Sequence, residues 1–193
     1  MHSVRYHMKF RIWFKEVGAP GVEEIDAVEQ FNWGGMATPT EYDVPKCGAD
    51  VPGCSYEDGR WVHRMNGTWQ VGDMVGHRAL SNGDGVRFHT IHGHCHAPTC
   101  LLFELFNADT NELVCRQVPV YGKSNETFDE AGYLSVPPCL FGDPKEKDGL
   151  MPAITYHPNT TFYSSKTCHA DYGHHGEMSL WQTYGVRAPL TKA

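Results

Sequence analysis

A period of two, not of 3.6, organises this chain. Along residues 4–14, Val4, Tyr6, Met8, Phe10, Ile12 and Phe14 fall on one side, and Arg5, His7, Lys9 and Arg11 fall on the other. Successive side chains of a strand point to opposite faces, so this alternation predicts a half-buried strand. Further strand-like stretches follow at 61–65, 69–75, 86–96, 101–106, 113–120, 132–136, 154–156, 161–165 and 178–186. Turn-forming clusters separate them, most clearly at 81–85 and 107–111. The second cluster sits between two apolar runs and predicts a hairpin of 101–106 with 113–118. Residues 23–31 are the only stretch that reads as helical. Many short strands punctuated by turns predict an all-β fold, a jelly-roll-like antiparallel β-sandwich forming one domain over residues 1–193.

The chain has 193 residues, enough to bury roughly 70% of its unfolded surface in one domain, so it needs no metal to fold. Its net charge of -7 argues against nucleic acid as the main partner. No apolar run approaches the roughly 20 residues of a membrane span. The unusual component is the pairing of 7 cysteines with 12 histidines. The odd cysteine count leaves at least one thiol unpaired, and the lack of any C-x-x-C pair argues against a thiolate zinc ribbon. Sequons at Asn66, Asn125 and Asn159 lie in turn-like stretches where a glycan is tolerated. With the cysteines they predict an oxidising, secreted or cell-surface setting. Met1-His2-Ser3 runs into the alternating stretch without the apolar segment of a signal peptide, which predicts a piece of a longer secreted chain or a trimmed start.

The most informative segment is Phe88-His89-Thr90-Ile91-His92-Gly93-His94-Cys95-His96. On one strand, His92, His94 and His96 form a row continuing Val86, Phe88 and Thr90, and imidazoles two apart can share one metal ion. Gly93 allows a close approach from the other side. The bland alternative is a solvated row of histidines. Near the C-terminus, His174-His175-Gly176-Glu177-Met178 leads into the final strand. Met178 taken alone reads as core. Beside an H-x-H strand it becomes a candidate thioether ligand, and two or three imidazoles with a thioether suit copper, especially Cu(I), better than zinc. A cupin-type iron site fails on spacing, because the first acidic residue after His96 is Glu104. A zinc hydrolase site using His94, His96 and His174 stays open. Glu177 is a candidate acid–base group, although a loop carboxylate ordinarily faces solvent. Trp33, Trp61 and Trp69 could line a ligand surface, with a core role favoured for at least two.

Several segments in order resemble a known family. Glu41-Tyr42-Asp43-Val44-Pro45-Lys46-Cys47-Gly48, Trp69 and Gly93-His94-Cys95-His96 are similar to the plant stress-up-regulated nodulin family. Leu113-Val114-Cys115, Pro119-Val120-Tyr121-Gly122, Glu130-Ala131-Gly132-Tyr133, Cys139 and His174-His175-Gly176-Glu177-Met178 continue that order. The family in turn resembles the C-terminal domain of the copper type II, ascorbate-dependent monooxygenases. The resemblance implies one mononuclear copper site from His94, His96 and Met178, with His174 as a possible further ligand and O₂ or a small molecule at an open position. Spacing counted back from Cys115 offers His92 with His94 as an alternative pair. Those monooxygenases use a second copper domain as electron donor, for which 193 residues leave no room, so a second domain or chain would have to supply electrons. The resemblance also implies disulfides Cys47–Cys54 and Cys115–Cys139. Proximity to the proposed ligands suggests Cys100–Cys168, which leaves Cys95 as the free thiol. A non-catalytic extracellular module is the rival reading.

Overall fold

A computed structural model describes residues 10, 12, 14–16, 18–20, 28–34, 41–75, 80, 83–96, 99–145 and 148–190. In chain order the strands are β1 (Glu29–Gly34), β2 (Glu41–Val44), β3 (Cys54–Glu57), β4 (Arg60–Gln70), β5 (Asp84–His94), β6 (Cys100–Asn107), β7 (Glu112–Gln117) and β8 (Val120–Tyr121). They continue with β9 (Leu134–Ser135), β10 (Cys139–Gly142), β11 (Met151–Pro152), β12 (Thr155–Tyr156), β13 (Thr161–His169), β14 (His174–Met178) and β15 (Leu180–Pro189). The only helical turn among the described residues is the 3-10 segment Val71–Val75. None of the described helices is long and apolar enough to cross a membrane.

Two sheets pack face to face. The first runs β1-β15-β5-β10-β11, with β12 also pairing with β5, and the second runs β3-β4-β13-β6-β7. Two short pairs, β14 with β2 and β8 with β9, flank them. Between the sheets lies a core of Phe31, Val86, Phe88 and Ile91 from one side and Phe103, Leu105, Val114 and Phe162 from the other, closed by Trp181. The alternating apolar positions of these strands supply that core, so the all-β expectation holds as an antiparallel sandwich. The hairpin of β6 and β7 also forms as expected, around the turn after Asn107. Trp61 and Trp69 pack against the two apolar clusters, in keeping with a core role.

Three local expectations change. Of residues 23–31, read as helical, 23–27 lie outside the described residues and 29–31 belong to β1, where Glu29, Gln30 and Phe31 pair with Gly185, Tyr184 and Thr183. Burying Phe31 against Phe88 outweighs the weak local helical signal of so short a stretch. Most of the alternating stretch 4–14 lies outside the described residues. Its described positions Phe10, Ile12 and Phe14 are in no strand and are exposed. Residues 61–65 and 69–70 merge through 66–68 into the single strand β4, because β13 offers a continuous ladder opposite them, whereas 71–75, also read as strand, form the 3-10 segment.

One glycine is fixed by packing. A Cβ on Gly93 would meet Phe103 Cδ1 at 2.1 Å and Gln117 Oε1 at 2.8 Å. The Phe103 ring stands there, with its centroid 4.2 Å from that of Trp181, so the close approach anticipated at Gly93 is made by the core itself. Gly93→Ala is expected to cost about 1–3 kcal/mol through overpacking, read as a lowered urea midpoint with an unchanged slope.

Candidate metal centre

The histidine row owes its exposure to a bulge in β5. Thr90 pairs with Tyr184 but Phe88 pairs with Gly185, so His89 is an extra residue on that strand. An extra residue reverses the face of everything beyond it. Val86 and Phe88 point into the core, and beyond the bulge Ile91 and Gly93 do so. His92 and His94 are therefore half-buried on the opposite face. They do not continue the Val86–Phe88 row as the sequence suggested. Without the bulge both imidazoles would enter an apolar core, where an unpaired polar ring is costly.

β5 ends at His94, and His96 follows outside the strand. The two rings nonetheless meet edge to face, with centroids 5.4 Å apart and planes at 78°. Imidazoles sharing one ion through nitrogens at about 2.0–2.1 Å have centroids about 5–5.5 Å apart at near-tetrahedral angles, a separation this pair matches. Burial, then the neighbouring His96 and His92, hold the His94 pKa below its ordinary value. That favours the neutral imidazole a metal requires. His92 is engaged differently. Its Nε2 lies 3.0 Å from the Val136 carbonyl, and it also hydrogen-bonds the Gln182 side chain.

Met178 comes from the adjacent line of chain. Burial alternates without a break from Gly176 to Thr183: Glu177, Ser179, Trp181 and Thr183 are buried, while Met178, Leu180 and Gln182 are half-buried. Leu180 pairs with His94 and Gln182 with His92, and residues directly opposite share a face. Met178 belongs to that same face. Beyond the last paired residues of that ladder, Leu180 and His94, the chain continues on one side to Met178 and on the other to His96, and all three candidate ligands are half-buried.

His174 is placed elsewhere. It pairs with Val44 at the start of β14, and its Nε2 lies 3.4 Å from the His169 carbonyl. It pairs three positions along β2 from the partner of Met178, Val44 against Glu41, or about 10 Å of strand. His175 is exposed and pairs with Asp43 at 3.0 Å. Among the described residues no group of three or more His, Cys, Asp or Glu side chains converges as a metal site. A cleft of about 650 Å³ beside Glu112, Tyr156 and His157 lies at the far end of β6 and is lined by none of the candidate ligands.

Sequence reasoning missed the groups beneath the site. Glu177, read as a loop carboxylate facing solvent, is 1% exposed, and it pairs at 2.5 Å with Lys166, which is 0% exposed. Glu177 Oε1 also accepts the His96 N–H at 2.8 Å, and Oε2 accepts the Thr99 hydroxyl at 2.6 Å. Lys166 Nζ donates in addition to the Met178 carbonyl and lies 5.7 Å from the Tyr42 ring centroid. Burial pushes the Glu177 pKa up, but Lys166 and these hydrogen bonds outweigh it and leave the carboxyl below its usual range. The signal was present in the alternation of Phe162, Ser164 and Lys166, which places the lysine on the inward face of β13.

Three disulfides form, Cys47–Cys54, Cys95–Cys100 and Cys115–Cys139, and they belong to an oxidising compartment. Two are those implied by the resemblance. The inferred Cys100–Cys168 bridge is replaced by Cys95–Cys100, and the free thiol is Cys168, which is buried. Nearness along the sequence to a proposed ligand does not decide the pairing: Cys95 and Cys100 lie 6.1 Å apart, Cα to Cα. No protein-family model, curated protein or solved structure matches the chain.

Proposed function

We propose that this chain is a secreted copper-binding β-sandwich domain, similar to the oxygen-activating half of type II copper monooxygenases, with His94, His96 and Met178 as ligands. The observation that supports the reading is the 5.4 Å separation of the His94 and His96 ring centroids, with half-buried Met178 two residues before the Leu180 that pairs with His94. Two neutral imidazoles with a thioether form a soft, three-donor set that suits Cu(I), leaving a position open for O₂ or a small molecule. Both the Val136 carbonyl and Gln182 engage His92, which favours His96 as the second imidazole. His174 is at most an outer group.

Copper bound there would supply one-electron redox chemistry. The chain's own contribution is to favour the neutral form of the His94 imidazole through burial and to bring the His96 ring beside it. Lys166, the Thr99 hydroxyl and the His96 N–H all favour the ionised form of Glu177 and hold its pKa below the ordinary value, which disfavours a general-acid role. Electrons would come from a second domain or chain. Exposed Asn66, Asn125 and Asn159 suit a glycosylated extracellular protein, as do the three disulfides. Without an electron source the same site describes the rival, a non-catalytic copper-binding module.

Metal analysis with EPR on the purified protein tests this reading. The expected result is one copper per chain, lost in His94→Ala, with Met178→Ala weakening Cu(I) at least about tenfold and Cu(II) less. Reductant-dependent O₂ consumption would assign an oxidoreductase, and bound copper without it a binding module. Stoichiometric zinc indifferent to Met178→Ala would replace copper by a histidine zinc site.

A further inference from the structure

We propose that the buried Lys166–Glu177 pair is a positioning device for the metal site, fixing the backbone of His96 with one partner and that of Met178 with the other. The inference rests on the copper reading above and adds to it two residues that touch no ligand position themselves. Its physical need is visible in the chain path. His96 lies beyond the last ladder position of β5, so its N–H has no strand partner. Glu177 Oε1 accepts that N–H at 2.8 Å. The carboxylate's other oxygen is anchored to Thr99 at 2.6 Å, across the turn that the Cys95–Cys100 disulfide closes.

Lys166 holds the opposite segment. It arises from β13 in the second sheet, reaches across the end of the sandwich, and divides its ammonium between Glu177 Oε1 and the Met178 carbonyl. One ion pair thus ties the histidine segment to the methionine segment and both to the opposing sheet. Buried pairs of this kind cost desolvation, and apolar replacements are often at least as stable. Packing alone therefore does not account for it. What the pair achieves, and an apolar pair would not, is a hydrogen bond to each of two backbone groups on either side of the site. Outer groups that orient ligands commonly change metal affinity 10–100-fold when removed.

Two variants test the inference. Lys166→Met/Glu177→Gln removes both charges together, so no buried charge is left alone, and Thr99→Val removes one anchor of Glu177 with little change of shape. Cu(I) is titrated against a competing chelator, and sulfur scattering is followed by X-ray absorption. The expected result for the double variant is a Kd raised about 10–100-fold with diminished sulfur scattering, and for Thr99→Val a smaller rise in the same direction. A merely structural pair would move the denaturation midpoint and leave the Kd and sulfur signal of the folded protein untouched. That outcome, in either folded variant, overturns the inference alone. A wild type that binds no copper overturns the parent reading and this one together.

Discussion

Lys166→Met alone is expected to destabilise the protein by about 3–5 kcal/mol at neutral pH, with a smaller deficit in acid. The magnitude follows from leaving Glu177 ionised, 1% exposed and without its counterion. The pH dependence follows from the sign of the shift. In the native protein, burial raises the Glu177 pKa, but Lys166 and the hydrogen bonds from Lys166, Thr99 and His96 bring it below the ordinary value. A depressed carboxyl contributes stability that is present above its unfolded pKa and is lost as the pH falls through the folded one. Without Lys166, burial dominates and the folded pKa rises above the unfolded value, so ionised Glu177 then penalises folding. The difference between variant and wild type is largest near pH 7 and narrows toward pH 5, where the variant's carboxyl takes up a proton. Urea denaturation of both proteins at the two pH values measures it. An equal deficit at both would assign the loss to packing around Lys166 rather than to charge.

The same residues show where the sequence was informative. Alternation identified most strands, because a sandwich strand must bury one face, and the turn chemistry after Asn107 fixed a hairpin. It also brought His94, His96 and Met178 forward as a group. The inserted residue at His89 escaped notice, since a bulge keeps the apolar residues and changes only which face they share. The reading therefore put His92 and His94 on the wrong face. Glu177 escaped because its environment is set by Lys166 from β13, a partner that no local pattern reveals. The helical reading of 29–31 failed for the same reason, as β15 supplies a ladder that local propensity does not encode. Cysteine pairing failed only where it relied on nearness to ligands.

Removing the bridge between the two sheets should cost nearly as much as breaking the buried ion pair. Cys115 in β7 and Cys139 in β10 are separated by 24 residues, and constraining a loop of that length in the unfolded chain is worth about 3–4 kcal/mol. Cys115→Ala/Cys139→Ala is expected to lose that amount in a urea titration. The loop closed by this bridge has a functional side. It contains Val136 and Pro137, whose carbonyls accept hydrogen bonds from His92 and from the Gln117 amide at 3.0 and 2.6 Å. Gln117 in turn accepts the Gly93 N–H at 2.5 Å. Opening the bridge thus loosens the cover of β5 at the residues flanking His94, and copper affinity should fall along with stability. Peptide mapping without reduction provides the control. Cys168 should be the one alkylated thiol, and only after denaturation, because it is buried and burial pushes its pKa up to about 11. Alkylation at Cys95 would instead restore the Cys100–Cys168 pairing. The turn carrying His96 would then be tied to β13 by a covalent bond, and Glu177 would no longer be its principal restraint.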